Sequence, residues 1–291
     1  MFLLGPLTGL LLASRPRSLR EWWWLLGGAL VSALWLARTG PLPDQVLRAF
    51  AAFVTGAFLS LMLGKPGPVF TRALAAVGLA GVALAGWSLM FGVTWSQVQA
   101  GVAREGREAY RGLITIMQGQ PGTGADSQGP SSVVALLQVL STEVEKAAAF
   151  APAFLAIAAI LGLMLSWRWY HRIAVQPLGP RPLPFSEFRF SDHMVWGVVI
   201  ALALLVSPGL PGGARLIGGN LLLIWAALYV VRGLAVVRAF SYQIPPFVLV
   251  AASIAAFFMW PFIVSGLGFL GLADTWLDFR RRFRAPATGG T

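Results

Sequence analysis

Of 291 residues, 57% are hydrophobic and only 11% are charged, with a mean hydropathy of +0.73; a soluble domain carries about 25% charge, so the composition excludes a water-soluble globular protein. The net charge of +11 does not point to nucleic acid, because the arginines sit mostly in short loops between apolar runs and no basic helix face is interleaved with aromatics. The absence of cysteine removes disulfides, thiolate zinc sites, iron–sulfur ligation and lipid-modified cysteine.

The apolar runs are Phe2–Ala13, Trp22–Ala37, Val46–Gly64, Val69–Val93, Ala148–Trp167, Met194–Val206, Leu216–Val237 and Ile244–Leu272. No basic residue precedes the first, so it reads as a short span, or one clipped by the choice of start site, rather than a cleaved signal peptide. The run AAFAPAFLAIAAILGLMLSW, from Ala148 to Trp167, carries no charge and has the length of a hydrocarbon core at about 1.5 Å per residue. In lipid each segment must bond its own backbone, which leaves helices, and the alternation of barrel strands is absent. The expected fold is all-α: residues 1–291 form a single polytopic transmembrane helical bundle of about seven or eight spans.

Basic residues set the orientation. Arg15, Arg17 and Arg20, then Lys65 and Arg72, then Arg168, Arg172, Arg181 and Arg189, then Arg238, then Arg280, Arg281, Arg282 and Arg284 mark cytoplasmic loops and ends. For Arg238 and the tail to share a side, Ile244–Leu272 must cross twice or re-enter, with the break at Trp260 and Pro261. A single span with Arg238 outside is the alternative.

Residues 94–147 form the long extracytoplasmic segment. Val98, Val102, Leu113, Ile114 and Met117 fit helical spacing loosely, among Arg104, Glu105, Arg107, Glu108 and Arg111. Val133, Leu136, Leu137, Leu140 and Val144 fit it well. The stretch GQPGTGADSQGPSS between them reads as a flexible loop. Two amphipathic helices follow, either anchored on the outer membrane surface or forming a lid over a cavity. Residues 168–192 read as a cytoplasmic Pro/Arg-rich loop, since Pro177, Pro180, Pro182 and Pro184 forbid a long helix, with Trp167, Trp169 and Tyr170 at the headgroup level. Residues 280–291 form a basic cytoplasmic tail.

Two motif matches fail on context. Gly266, Gly268 and Gly271 have the spacing of a dinucleotide fingerprint, but lie in an apolar run with no strand before them; close helix packing explains them better. Gly64-Lys65-Pro66 resembles the end of a P-loop, but Leu59 stands where the first glycine belongs and Pro66 replaces the hydroxyl residue, so the chain does not hydrolyse ATP by itself. His171 and His193, near Glu187 and Asp192, read as solvated loop residues, and no metal is expected. No Ser/His/Asp or HExxH arrangement is present, so the chain is not expected to be an enzyme; an intramembrane enzyme would need Asp274, Asp278, Glu187 or a histidine to converge in a pocket.

Two sets of residues remain as candidates. Gly28, Ala29, Ser32, Ala33 and Ala37 lie together on the second run as a helix-docking face, for a partner or for internal packing. Asn220, Arg232, Asp274 and Asp278 form the candidate polar intramembrane or ligand site, because charge in a bilayer is expensive. Arg232 either snorkels to the interface or meets Asp274, as a clasp or as part of a polar site. Asp278 has Arg281 and Arg282 within one turn.

The stretches PFSEFRFSDHMVWG (Pro184–Gly197), GNLLLIWAALYVVRGLAVV (Gly219–Val237) and LGLADTWLDFRRR (Leu270–Arg282) resemble, in order and spacing, the YybS-like family of predicted bacterial membrane proteins of unknown function. The resemblance is strongest over the C-terminal third and diffuse before Arg168, and the N-terminal part looks short for the family. It implies a membrane location. Through a remote similarity to the S subunits of energy-coupling-factor vitamin transporters, it also implies a small molecule bound near the outer face and a coupling subunit docked on small-residue faces. The Ala29, Ala33 and Ala37 face is compatible with that; no vitamin-specific motif carries over.

The leading expectation is a small-molecule-binding or transport-related protein similar to an S subunit, holding its substrate on the outer side under Trp95–Lys146 and energised by a separate partner. The alternative is a non-catalytic structural or assembly subunit of a larger membrane complex. Expected partners are the lipid bilayer, other membrane subunits and a small-molecule ligand, with no nucleic acid and no cofactor. The expected location is the bacterial cytoplasmic (inner) membrane, multi-pass, with the C-terminus cytoplasmic.

Overall fold

The computed structural model describes residues 1–64, 67–118, 132–241, 247–248, 254–255 and 258–279. Among them the fold is all-α, with no strand. Lys65 and Pro66, the stretch 119–131, most of the limb expected from Ile244 to Met259, and the tail with Arg281 and Arg282 lie outside the described residues. Two compact units divide the chain, Met1–Pro180 and Arg181–Thr291.

The first unit holds α1 (Leu4–Ala13), α2 (Leu19–Ala37), α3 (Leu42–Gly64), α4 (Val69–Met90), α5 (Trp95–Gln118), α6 (Ser132–Ala149) and α7 (Ala151–Ile173). At 10 residues, α1 reaches only about 15 Å, half a hydrocarbon core. It nevertheless lies at the centre: Leu7, Leu10 and Leu11 are fully buried against Val54 and Phe58 of α3 and Ala159 and Leu163 of α7. Ala73, Ala76 and Ala80 give α4 a small-residue face that joins this core. The chain breaks at Phe150, and Pro152 in the first turn starts α7, because proline there loses no helical bond. The helix continues to Ile173, six residues past the expected end at Trp167, since Trp167, Tyr170 and Ile173 keep the buried spacing. Residues 168–173 are therefore helix, and the Pro-rich loop proper begins after them.

The amphipathic pair packs on itself. Ala103 of α5 and Val144 and Ala148 of α6 form a small core with Val102 and Tyr110, Gly106 brings α5 close to Val144, and Arg107 pairs with Glu145. Leu113, Ile116, Leu136, Val139 and Leu140 stay exposed.

A polar clasp ties α2 to the end of α7. Ser18 and Glu21 form a capping box, the reciprocal pattern that satisfies orphan N–H groups at a helix start. The Glu21 carboxylate, 2% exposed, also accepts from the N–H of Arg17 at 2.8 Å and of Val175 at 2.7 Å. Arg20 donates to the Ile173 carbonyl at 2.7 Å, serving an α7 C-terminal acceptor. Glu21 precedes the apolar run that begins at Trp22. Burial alone would raise its pKa, but the N–H groups of Val175, Arg17 and Ser18 and the Ser18 hydroxyl outweigh it and hold the carboxyl at about 2, down from 4.5. A depressed carboxylate stabilises the fold above its unfolded pKa and loses that contribution as pH falls toward the folded one. Glu21→Gln is thus expected to cost roughly 3 kcal/mol at pH 7. The deficit should shrink as pH drops from 4.5 toward 2. Thermal unfolding in detergent, followed by tryptophan fluorescence at pH 7 and at lower pH, measures this; a deficit that does not change with pH would remove the charge argument.

The second unit opens with short 3-10 turns at Phe185–Glu187 and Asp192–Met194, followed by α8 (Val195–Val206), α9 (Gly212–Phe240) and α10 (Trp260–Leu277). α8 and α9 pack as a hairpin, with Gly197 against Trp225 and Gly218 against the Ala201 carbonyl. α10 starts at the expected break, with Pro261 in its first turn. It runs to Leu277, five residues past the expected end at Leu272, and stops at Asp278 in the left-handed conformation.

Among the described residues, α3, α4, α7, α9 and α10 are long and apolar enough to cross a membrane, while α1 and the α8 segment are shorter apolar helices. The run expected at Trp22–Ala37 is α2, whose Arg20 and Glu21 are confined to the first turn.

Candidate functional site

Among the described residues of the second unit, Arg232 and Asp274 are the most buried charges, and glycines decide where they sit. At Gly271 a Cβ would stand 2.0 Å from the Tyr229 carbonyl oxygen, and at Gly233 one would stand 2.0 Å from the Leu267 carbonyl oxygen. The α9 and α10 backbones therefore touch, as small residues allow in membrane proteins. Arg232 adjoins Gly233, and Asp274 lies one turn after Gly271, so the contact brings the two side chains together.

Arg232 and Asp274 are both 0% exposed, and Arg232 Nε donates to Asp274 Oδ2 at 3.1 Å. The remaining nitrogens face the loop. Nη1 and Nη2 donate to Asp192 Oδ1 at 3.4 and 3.3 Å, and Nη1 to the Phe190 carbonyl at 3.5 Å. The Phe190 ring lies 5.1 Å from the guanidinium carbon, close enough for a cation–π contact. Phe190 also meets Tyr229 edge-on at 5.2 Å and Phe188 at 6.1 Å, and Phe188 stacks on Phe185. This aromatic series holds the loop against α9 and carries Asp192 to the guanidinium. The Asp192 side chain remains 52% exposed.

The two carboxylates are held differently. Charge-assisted N–H···O bonds run about 2.7–2.9 Å. The Asp274 contact approaches that range. The Asp192 contacts are longer, and one oxygen serves both Nη nitrogens, so the fork of the guanidinium is only loosely filled. The arrangement is a fully buried inner ion pair with a half-exposed, longer-bonded outer carboxylate.

The other candidates lie elsewhere. Asn220 is on α9, 12 residues before Arg232 and so about 18 Å along the helix; its amide donates to the Leu216 carbonyl at 3.0 Å. Asp278 caps α10 and pairs with Arg189 at 3.5 Å. The small-residue face on α2 divides: Gly28 lies against the Thr8 methyl and Ser32 is half-buried, while Ala29, Ala33 and Ala37 are exposed. His171 Nδ1 lies 3.1 Å from the Trp167 carbonyl, on α7 rather than in a loop, and His193 lies 3.3 Å from the Ser191 hydroxyl. Among the described residues no three His, Asp or Glu side chains gather as metal ligands. The glycines of the dinucleotide-like motif lie inside α10.

Four participants escape a reading of the sequence: Asp192 as a partner of Arg232, Phe190 as its platform, and Arg20 and Glu21 as the α2–α7 clasp. A signal existed for two. Five donors on Arg232 call for more than one acceptor, and the Ser18 to Glu21 spacing is that of a capping box. For Phe190 and Arg20 the contacts arise only from tertiary folding.

The comparison with family models points to the same class of protein. A family model described as "Predicted membrane protein (DUF2232)" matches residues 1–275, extending the resemblance seen at the C-terminal end through the first unit as well. No curated protein and no solved structure matches the chain. With a match over most of its length, the chain belongs to this family of predicted membrane proteins.

Proposed function

We propose that this chain is a non-enzymatic, small-molecule-binding and transport-related protein of the bacterial cytoplasmic membrane, multi-pass with its C-terminus cytoplasmic. Its polar binding element is Arg232, whose outward edge Asp192 occupies. One observation carries the reading: a fully buried arginine whose outward partner is a half-exposed, loosely bonded aspartate. A structural clasp needs only Asp274; the second carboxylate adds a route from solvent to the guanidinium. The loop that carries Asp192 also holds Arg181 and Arg189, and the positive-inside rule supports a site that opens on the inner side. The α5–α6 pair then serves as an interfacial anchor through Leu113, Ile116, Val139 and Leu140, rather than as the cover of the substrate. With no nucleotide motif, transport would draw on a separate energy-coupling partner or on a gradient.

Native mass spectrometry of mildly solubilised protein from its own host tests this. The expected result is a bound small molecule on the wild type and none on Arg232→Gln. A folded wild type without any ligand would overturn it. The second reading is a structural or assembly subunit. It draws support from the exposed Ala29, Ala33 and Ala37 stripe beside Leu26, Leu30 and Leu34, and a stoichiometric protein partner without ligand would favour it.

A further inference from the structure

Building on that reading, we propose that the ligand presents an oxyanion, a carboxylate or a phosphate, which takes the place of Asp192 on the two Nη nitrogens of Arg232. Asp274 fixes the guanidinium through Nε, and the Phe190 ring lies over it. The Nη1–Nη2 edge is thereby aimed at the position Asp192 occupies. That edge matches a carboxylate or phosphate in two parallel N–H···O bonds, but Asp192 offers it a single oxygen at 3.3 and 3.4 Å. An incoming oxyanion with two oxygens in line would bond the same edge better.

The charge balance selects the ligand class. Of the two carboxylates on Arg232, Asp274 is fully buried and Asp192 half-exposed, so Asp192 is the one a ligand can replace. Another anion in its place keeps the Nη edge ion-paired, whereas a neutral ligand would leave only a weaker ion–dipole hydrogen bond there. A cation would be repelled by the guanidinium. Access requires that Asp192 swing away, while the Phe190 carbonyl at 3.5 Å stays on Nη1; the Asp192 side chain is 52% exposed and sits in a short 3-10 turn, Asp192–Met194. Asp192 is in effect an internal stand-in for the ligand. An anionic lipid headgroup and a free anion share this chemistry.

The test uses the full chain in nanodiscs of phosphatidylcholine, with thermal unfolding read by tryptophan fluorescence. Inorganic phosphate and succinate are titrated at ionic strength matched with chloride, and a second arm replaces part of the lipid with phosphatidylglycerol. Free anions should raise the midpoint of the wild type. Asp192→Asn should lower the half-saturating concentration about tenfold by weakening the internal competitor, and Arg232→Gln should abolish the response. Arg232→Lys retains the charge and loses the fork, and should bind more weakly than wild type. A response to phosphatidylglycerol alone, enhanced by Asp192→Asn, would assign the oxyanion to lipid. No response in either arm by folded wild type and Asp192→Asn overturns the proposal, as does a response that Asp192→Asn leaves unchanged. A neutral molecule that co-purifies with the wild type and is lost in Arg232→Gln would sink the oxyanion while leaving the small-molecule reading standing; neither ligand nor anion binding would sink both.

Discussion

Asp274→Ala is expected to destabilise the protein by about 3–5 kcal/mol, the cost of leaving a buried charge without its partner. Arg232 is 0% exposed, so water does not reach the guanidinium. Asp192 cannot take over, because its contacts are long and its side chain faces solvent. The pair Arg107–Glu145 provides the contrast: the same two charge types, but side chains 39% and 67% exposed. Removing that pair should cost no more than about 1 kcal/mol. Unfolding midpoints of both variants in one nanodisc preparation measure the difference, and equal losses would refute the argument from burial. A double variant sharpens the point. Arg232→Met with Asp274→Val removes both charges and stays close to the original volume, so stability should return to within about 1 kcal/mol of wild type or exceed it. If fold recovers while ligand binding does not, the pair is retained for function at a cost in stability.

Much of the fold was legible because a bilayer leaves few choices. Among the described residues, apolar length located each helix long enough to span, and the proline at 261 located the start of α10. Boundaries drifted where buried aromatics extended a helix past its apolar run, as Tyr170 and Ile173 do for α7. Of the site, the charges on apolar helices were legible and their geometry was not. Arg232 and Asp274 stand out as charges that lipid would reject. Asp192 does not, since an aspartate in a polar loop is unremarkable until Phe190, Phe188 and Phe185 pull that loop onto α9. The α2 stripe shows the opposite limit. Spacing placed Gly28, Ala29, Ser32, Ala33 and Ala37 on one side of the helix, but packing on α1 takes Gly28 and leaves the alanines outside. A small-residue pattern does not say which of its edges is used.

The three glycines of the false dinucleotide motif make the largest graded prediction. If helix packing is their reason, substitution by alanine should follow the space each one has. At Gly271 the added carbon would lie 2.0 Å from the Tyr229 carbonyl oxygen and 2.8 Å from the Gly233 nitrogen. Both are backbone atoms of a helix and cannot rotate aside, so α9 and α10 must separate. That separation gives up packing along their contact and stretches the 3.1 Å bond between Arg232 and Asp274. Gly271→Ala should therefore cost about 3 kcal/mol or more, at or beyond the usual limit for overpacking, and should abolish binding at Arg232 along with stability. At Gly268 the nearest atom is a Val230 methyl at 3.6 Å, an ordinary contact, and alanine should change stability by less than about 1 kcal/mol. At Gly266 nothing lies within 4 Å, and alanine should be neutral or stabilise the helix by up to about 1 kcal/mol. Unfolding midpoints of the three variants in one membrane mimetic give the order. A nucleotide-binding turn would make the first two glycines the critical ones, because they shape the tight turn and the approach of the phosphates. Packing of α10 on α9 makes the third critical. The order of the three losses therefore separates the two explanations without any ligand in the tube.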